Sequence, residues 1–361
     1  MVTSAQRDPD ELKRVLERWL GEQIGKAVGE QIAPGSIRVG ELTVPKAGFS
    51  NETVLGRATW TERSGTNHER QFVLRIQPAD HQVYLEPDAL RQARVMQQLA
   101  GCVPVPTVWL VEPDPLVLGA PFFLMDRVNG RVPSDMPSWH KRGWTTELAP
   151  EERRRLYDNG LRCLADLHAL DWTGDLRFLQ PEGTGSPLDR FLAHVEHWYD
   201  WCAPVRRFGS EVIDEAMAHV LNHRPATNEG VVIWGDARPG NLIFADDLTV
   251  AAMVDWEAAS IGPPEFDLAW WLMFEEFLCE AQGLKRLEGV PGRAGTIARY
   301  EELSGRSVVD IGYFEVLAGL VFALINSRLA DLMIGSGLVD EATGAEFVTR
   351  VTGMIASYLA V

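Results

Sequence analysis

The sequence predicts an α+β protein of two lobes, a small β-rich lobe followed by a larger helical one. Strand-like runs dominate the first 128 residues, whereas helical periodicity dominates the remainder. Strands grouped before helices, instead of alternating with them, are typical of this class. The charge divides in the same way: residues 1–126 hold 13 Lys and Arg against 16 Asp and Glu, and the remainder holds 21 against 35. We therefore expect one lobe at residues 1–127 and a second at 128–361.

The small lobe is predicted to be a mostly antiparallel sheet with one inserted helix. A first helix opens at Asp8-Pro9, because proline is favoured at the first helical position. The strand-like runs are residues 37–44, 53–61, 71–77, 107–112 and 121–128, and the inserted helix starts near Pro87.

The large lobe is predicted to be helical apart from one β segment at residues 232–257. The helices are expected from Pro150 through His168 and at residues 189–201, 211–221, 266–280, 296–303, 314–334 and 341–358. The most apolar stretch, Ile311–Ile334, contains Glu315, Asn326, Arg328 and Asp331. Those polar residues favour a buried core helix over a membrane span.

Composition narrows the class of partner. The formal charge of −17 argues against nucleic acid, since a phosphate backbone is bound by an excess of Lys and Arg. The four cysteines are far apart and form no CxxC pair, which favours buried thiols in a reducing compartment. The first 18 residues are charged and lack the apolar core of a signal peptide. We expect a soluble cytoplasmic protein that binds neither nucleic acid nor membrane.

Three polar residues stand at wide intervals in the β segment VIWGDARPGNLIFADDLTVAAMVDWE: Asp236, Asn241 and Asp255. A strand, a loop and a hairpin of this length could bring their side chains to one place. Phosphoryl transfer needs a carboxylate that orients the attacking hydroxyl and oxygen ligands that hold Mg²⁺. This trio supplies both.

The fuller string GDARPGNLIF, followed by VDWE and DLAWW, resembles the aminoglycoside phosphotransferase and choline kinase branch of the protein-kinase-like superfamily. Within that branch it is most similar to the kinase-like domains of acyl-CoA dehydrogenase family proteins. The resemblance continues through AGFSNET, FVLRIQP, FFLMDRVNG and LADLHALDW, in family order along nearly the whole chain. It implies a bilobal protein-kinase-like fold and an ATP- and Mg²⁺-dependent phosphotransferase acting on a hydroxyl group of a small molecule.

The resemblance also implies roles for individual residues. Asp236 would orient or deprotonate the acceptor hydroxyl, and Asn241 and Asp255 would hold Mg²⁺. The implied nucleotide contacts are Ser50 and Asn51 over the phosphates, Arg75 on the α- and β-phosphates, and the backbone of Met125 and Arg127 on adenine. Asp267 would anchor the catalytic loop, although it could equally cap its own helix. His168 is expected to support the structure and not to catalyse.

Three positions depart from the family pattern. Trp234 stands where the family usually has His, Arg75 replaces the usual Lys, and Gln92 replaces the Glu expected to pair with that cation. Arg and Lys are not interchangeable at a phosphate site. These departures leave open a nucleotide-binding protein without turnover. A Mg²⁺-dependent phosphohydrolase is a further alternative, because the same carboxylates could activate water.

The acceptor is expected to bind in the large lobe, which holds a net charge of −14 from 21 basic and 35 acidic residues. Trp198, Tyr199 and Trp201 lie close to Glu196 and Asp200 in the sequence. Acidic and aromatic groups together attract cations. We therefore expect a cationic or polyhydroxylated acceptor.

Overall fold

The structure is a computed structural model that describes residues 7–28, 32–33, 35–44, 52–78, 83–227 and 229–360. Contacts between Cα atoms divide the chain into two compact units. The sheet unit comprises the described residues up to Gln97 together with Pro106–Val128, and the helical unit comprises Gln98–Val105 and the chain from Asn129 onward. The short segment Gln98–Val105 thus groups with the helical unit, although it lies within the first lobe as predicted from the sequence.

The sheet unit is built on five strands in the order β1-β2-β3-β5-β4, with every neighbouring pair antiparallel. The strands are β1 (Arg38–Val39), β2 (Glu52–Thr61), β3 (Asn67–Ile76), β4 (Val108–Glu112) and β5 (Phe122–Asp126), and the helices are α1 (Pro9–Val28) and α2 (Ala89–Leu99). One stripe of α1, including Leu16 and Leu20, is buried in a core with Phe72, Leu74 and Phe122 of the sheet. The predicted run at 37–44 is shorter than expected, since only β1 and an isolated bridge at Thr43 pair with β2.

The helical unit contains seven α-helices and two short antiparallel strand pairs within its described part. The helices are α3 (Pro150–His168), α4 (Pro187–Cys202), α5 (Ser210–Asn222), α6 (Pro264–Leu278), α7 (Arg293–Ser304), α8 (Ile311–Gly335) and α9 (Glu341–Leu359). The strand pairs are β6 (Val231–Ile233) with β9 (Ser260–Gly262) and β7 (Leu242–Phe244) with β8 (Val250–Met253). The sequence did not predict β9, because three residues are too few to show a period of two. The α+β prediction is confirmed.

Helix α8 is the central helix of this unit and contacts α4, α5, α6 and α9. By length and composition alone it could cross a membrane, and 61% of its most apolar window is buried inside the protein. Its buried polar groups have partners here: Arg293 donates two hydrogen bonds to Glu315, at 2.6 and 2.8 Å, and Asn326 donates to the Phe322 carbonyl. Burial of an apolar helix whose polar groups are hydrogen-bonded is the arrangement of a core helix.

Candidate active site

The loop after β6 is fixed by a carboxylate from the first turn of α6. The side chain of Asp267 is fully buried, and it accepts hydrogen bonds from the backbone N–H of Trp234 at 2.6 Å and of Gly235 at 2.8 Å. Gly235 has a φ of 84°, and a Cβ there would lie 2.4 Å from the Ala258 carbonyl oxygen. Only glycine fits this bend. The carboxylate of Asp267 is used by the loop, and the N-cap of α6 is Pro263.

A histidine stands behind this carboxylate, at the end of α3. His168 Nε2 lies 3.1 Å from Asp267 Oδ2, and His168 Nδ1 lies 2.6 Å from the hydroxyl of Tyr300. Burial raises the pKa of Tyr300, so the phenol keeps its proton and can donate to Nδ1. In that arrangement Nε2 carries the imidazole N–H and donates a hydrogen bond to Asp267. The prediction that His168 supports the structure is confirmed.

Three donors converge on the carboxylate of Asp236, which is only 7% exposed. The indole Nε1 of Trp270 and Nε of Arg238 both donate to Oδ1 at 2.9 Å, and Nδ2 of Asn241 donates to Oδ2 at 2.6 Å. A carboxylate bonded on both oxygens has one orientation. The remaining acceptor capacity is on Oδ2, which receives a single one of these bonds.

Arg238 joins two carboxylates. Besides Asp236, its guanidinium forms an ion pair with Asp135, and it lies 5.0 Å from the ring centre of Phe274. Burial disfavours the charge of Arg238, but Asp236 and Asp135 outweigh that effect and raise its pKa. Burial is the largest effect on Asp135 and raises the pKa of that carboxyl, although Arg238 acts in the opposite direction. The cation is therefore permanent and holds both acids near the loop.

The two predicted metal ligands, Asn241 and Asp255, are brought close by the β7–β8 hairpin. The backbone N–H of Val254 donates to the carbonyl of Asn241 at 3.0 Å, and Asp255 follows directly. Because Asn241 Nδ2 donates to Asp236, its amide oxygen remains as an acceptor. Asp255 is half-buried and its charge contributes to the raised pKa of Arg238. One amide oxygen and one carboxylate are hard donors that suit Mg²⁺, which would take further ligands from phosphate and water.

Within the part of the chain that the structure describes, no group of three or more His, Cys, Asp or Glu side chains forms another metal site. The fit to a divalent cation thus depends on Asn241 and Asp255.

Trp234, which replaces the family's usual His, anchors this loop in its own way. Its side chain is fully buried, and its indole Nε1 donates to the Val254 carbonyl at 3.0 Å. Its ring also contacts Trp256, with ring centres 5.6 Å apart. The tryptophan therefore connects the start of the loop after β6 to the backbone just before Asp255.

In the sheet unit, Arg75 on β3 and Gln92 on α2 are brought together as the sequence predicted. Arg75 donates to Thr53 Oγ1 at 3.2 Å and to Gln92 Oε1 at 3.4 Å. Gln92 is 3% exposed, and its Nε2 has no hydrogen-bond partner among the described residues. Arg75 and Gln92 are therefore paired as predicted, and Gln92 adds no charge to this contact. Ser50 and Asn51 lie outside the described residues.

The backbone groups predicted for adenine, those of Met125 and Arg127, point toward β3. The Arg127 N–H donates to the Gln71 carbonyl at 3.2 Å, and Met125 is opposite Val73 in the same ladder. Hydrogen-bonded and non-bonded pairs alternate in an antiparallel ladder. The backbone of Asp126 therefore points the other way, and its N–H donates to the Thr107 carbonyl at 2.8 Å, so the backbone N–H of Arg127 and the ladder position of Met125 are used within the sheet.

The aromatic cluster expected to receive a cation is already covered by the protein. Trp198 is buried, whereas Arg206 lies over the ring of Tyr199 at 3.7 Å and Arg328 over that of Trp201 at 4.9 Å. One face of the Tyr199 ring and one face of the Trp201 ring thus contact an arginine, and the cluster no longer supports a cationic acceptor.

Sequence reasoning missed Trp270, Arg238 and Asp135. Trp270 is three residues after Asp267 on α6, a spacing that puts both on one helix face and could have indicated a shared role. Arg238 is two residues from Asp236, but it was assigned no role from the sequence. Asp135 has no local signal, because its partner is 103 residues away in the sequence.

Comparison with known proteins agrees with this geometry. The model of a phosphotransferase enzyme family, APH, matches residues 41–303. Curated relatives include acyl-CoA dehydrogenase family member 10 of Mus musculus (28% identical over 204 residues, 56% of this chain and 18% of that protein). Member 11 of Homo sapiens is 28% identical over 245 residues, which is 66% of this chain and 29% of that protein. The chain spans less than a third of the length of these relatives.

Solved structures show the same fold at lower identity. A protein of Ralstonia eutropha JMP134 assigned to the aminoglycoside phosphotransferases superposes with a TM-score of 0.66 at 22% identity, covering 96% of this chain and 97% of that one. A thermostable mutant of aminoglycoside phosphotransferase APH(4)-Ia, in ternary complex with AMP-PNP and hygromycin B, gives 0.58 at 15% identity over 96% and 98%. The fold is the bilobal, kinase-like one expected from the sequence. With a family match over more than half of its length, the chain belongs to the phosphotransferase enzyme family APH.

Proposed function

We propose that the protein transfers the γ-phosphoryl group of ATP to a hydroxyl group of a small molecule, with Mg²⁺ as the cofactor. The observation that supports this most is the environment of Asp236. Its carboxylate is held by Trp270, Arg238 and Asn241, and Oδ2 keeps acceptor capacity for an incoming hydroxyl. A positioned carboxylate is the main group that phosphoryl transfer requires from the protein.

The reaction forms a bond between the acceptor oxygen and the γ-phosphorus and breaks the bond from that phosphorus to the bridging oxygen of ADP. The acceptor's hydroxyl proton passes to Asp236 or to solvent. Because two charged or polar donors already occupy Oδ1, Asp236 acts chiefly by orienting the hydroxyl for in-line attack.

Asn241 and Asp255 would hold Mg²⁺ through an amide oxygen and a carboxylate. The bound cation would neutralise charge on the β- and γ-phosphates. On the nucleotide side, we assign Arg75 to the α- and β-phosphates, and the backbone that follows the Met125 position, at Asp126 and Val128, to adenine. Nucleotide use is also supported by the APH(4)-Ia complex, which contains AMP-PNP.

A small acceptor is favoured over a peptide. After Asp255 the chain forms β9 and enters α6 at Pro264, which leaves no room for a long regulated segment. Solved relatives bind small molecules such as hygromycin B and kanamycin.

The test follows the label of γ-³²P-ATP. The purified chain is incubated with Mg²⁺ and a panel of alcohols, and the products are separated. Label in an organic phosphoester is the expected result. Label only in inorganic phosphate would establish the phosphohydrolase instead, and nucleotide binding without any release of label would establish a binding protein. Asp236→Asn is the matched control, because it keeps the size of the side chain but lacks the charge.

A further inference from the structure

Two histidines lie side by side at the C-terminal end of α5. His219 and His223 are four residues apart, and the His223 backbone N–H donates to the His219 carbonyl at 2.9 Å, so both lie on one face of the helix. Their ring centres are 4.4 Å apart, and the ring planes are inclined by 24°. Two histidines at this spacing can chelate one metal ion. Nitrogen ligands at about 2.1 Å in a tetrahedral site lie about 3.4 Å from each other, a separation that rings this close can match.

The ring of His223 is held in a tautomer that can bind metal. Its Nδ1 lies 3.0 Å from the His219 carbonyl oxygen. A carbonyl only accepts, so Nδ1 carries the hydrogen and Nε2 of the neutral ring bears the electron pair. A hydrogen bond from the second ring nitrogen to a backbone carbonyl fixes the orientation of metal-binding histidines in the same way.

The ring of His219 is supported by the neighbouring helix α8. The centre of the Tyr313 ring lies 6.4 Å from that of His219, and the Tyr313 hydroxyl donates to the Val220 carbonyl at 2.9 Å. His219 is half-buried and His223 is exposed. Both rings are therefore positioned before any ligand binds, and an ion can reach them from solvent.

The charges beside this pair favour a cation. Glu215 is exposed and lies one helical turn before His219, on the same face of α5. Arg224, which follows His223, forms an ion pair with Asp189 at 3.2 Å, so an acid offsets its charge.

We propose that His219 and His223 bind a late first-row transition-metal ion, such as Zn²⁺, through one nitrogen of each ring, Nε2 in His223. Imidazole suits Zn²⁺, Ni²⁺ and Cu²⁺, whereas Mg²⁺ takes oxygen ligands. Two protein ligands are fewer than a metal-binding group of three, none of which occurs in the described chain, so water completes the coordination. The site is separate from Asn241 and Asp255 and does not depend on the proposed function.

The test is equilibrium dialysis of the EDTA-treated, untagged protein against ZnCl₂. All proteins carry Cys102→Ser, because Cys102 is exposed and thiolates bind zinc. An excess of Mg²⁺ occupies the oxygen ligands proposed for the active site. We expect a single Zn²⁺ to bind to each chain, and Zn²⁺ should shift the ring ¹H–¹⁵N signals of His219 and His223.

His223→Gln should weaken Zn²⁺ binding by about a hundredfold, because the second ligand of a chelate binds in an intramolecular step. His219→Gln should have the same effect. His197→Gln is the matched control: His197 is an exposed histidine on α4 with Ala193 and Trp201 four residues away on either side. This variant should bind Zn²⁺ as wild type does.

Wild-type affinity in His223→Gln, or no Zn²⁺ bound to the wild-type protein, would overturn the proposal. Thermal unfolding without metal shows whether each variant folds, and His219→Gln decides the matter if His223→Gln does not. With Zn²⁺, the unfolding temperature of wild type should rise, and both single variants should lose that rise. Neither measurement uses phosphoryl transfer, so inactivity toward every alcohol would reject the proposed function and leave the metal site standing.

Discussion

The side chains proposed to act on the acceptor and on the nucleotide, Asp236 and Arg75, are held by different sets of hydrogen bonds. In the helical unit, Asp236 receives three hydrogen bonds between 2.6 and 2.9 Å, one of them from a guanidinium. In the sheet unit, Arg75 donates to two neutral side chains, Thr53 at 3.2 Å and Gln92 at 3.4 Å. Each of these bonds includes a charged group, but only those to Asp236 have the short distances of strong charge-assisted bonds.

The difference indicates where precision is needed. An acceptor hydroxyl must approach along one line, so the group that orients it is fixed in advance. A cation that contacts phosphate acts mainly through charge, which depends less on angle. Substitutions around Asp236 should therefore cost more than substitutions around Arg75.

The largest effect is expected at Asp236. Asp236→Ala should lower kcat by roughly 10²–10⁴, the range for loss of a positioned acid or base. Nucleotide Kd should change little, because the adenine and phosphate contacts assigned above do not include this residue. Turnover on any accepted alcohol and calorimetric nucleotide titration measure the two quantities. Wild-type turnover in the variant would remove Asp236 from the mechanism.

The next effect concerns stability. Asp267→Ala leaves the buried N–H groups of Trp234 and Gly235 without an acceptor, each costing about 1–3 kcal/mol, so the free energy of unfolding should fall by about 3 kcal/mol or more. Asp340→Ala is the matched control, because Asp340 accepts a single exposed N–H, from Thr343, at the start of α9. Its loss should be about 1 kcal/mol. Equal losses in urea denaturation would contradict the role of Asp267.

A smaller effect is expected at the metal site. Asp255→Gly, which accepts the positive φ, should weaken binding of Mg²⁺-nucleotide by roughly tenfold or more, the size of one lost contact with a charged group. Binding of the nucleotide without Mg²⁺ should change less, because the variant lacks a metal ligand but keeps the adenine contacts. Calorimetric titrations with and without Mg²⁺ decide between these outcomes. The same loss in both titrations would make Asp255 structural.

Arg75 should contribute less than the groups around Asp236. Arg75→Ala is expected to weaken ATP binding by about three- to tenfold, because one charged contact near the surface is lost. Adenosine, which has no phosphate, should bind as it does to wild type. A comparison of the two dissociation constants measures the phosphate contact, and parallel losses for ATP and adenosine would show that Arg75 supports the sheet instead.

The smallest change is expected for Gln92→Glu. The substitution removes a buried N–H group without a partner and places a carboxylate beside Arg75, so stability should rise by up to about 1 kcal/mol. Thermal and urea unfolding measure it. A variant that is less stable than wild type would show that burying the charge costs more than its pairing with Arg75 contributes. The surroundings of Arg75 and of Asp236 would then be more alike in their sensitivity to substitution than the distances suggest.

The sequence was sufficient where the relevant residues are local. Asp236, Asn241 and Asp255 lie within 20 positions, before and after one hairpin, and their spacing indicated that a strand, a loop and a hairpin could bring them together. Long amphipathic helices were predicted for the same reason, because a repeated period is visible in a single segment. The three-residue strand β9 is too short to show one.

The sequence was insufficient where partners come from distant segments. Asp135 and Trp270 reach Arg238 and Asp236 only after folding has brought the segment around Asp135 and helix α6 to the loop after β6. The adenine assignment depended on which backbone groups point away from β3, and that is a property of strand register, which side-chain patterns do not record. The covering of Tyr199 by Arg206 is likewise a tertiary contact.

The left-handed backbone of Asp255, with a φ of 65°, has a consequence for the evolution of this site. Among residues with a side chain, Asn and Asp accept this conformation most readily, and glycine accepts it without strain. In a saturation library selected for folding alone, position 255 should therefore retain mainly Gly, Asn and Asp. Selection for transfer would narrow that set to the one member that also brings a negative charge. The backbone conformation and the negative charge are thus two independent requirements on residue 255. Removing either requirement changes the set of amino acids that the position tolerates.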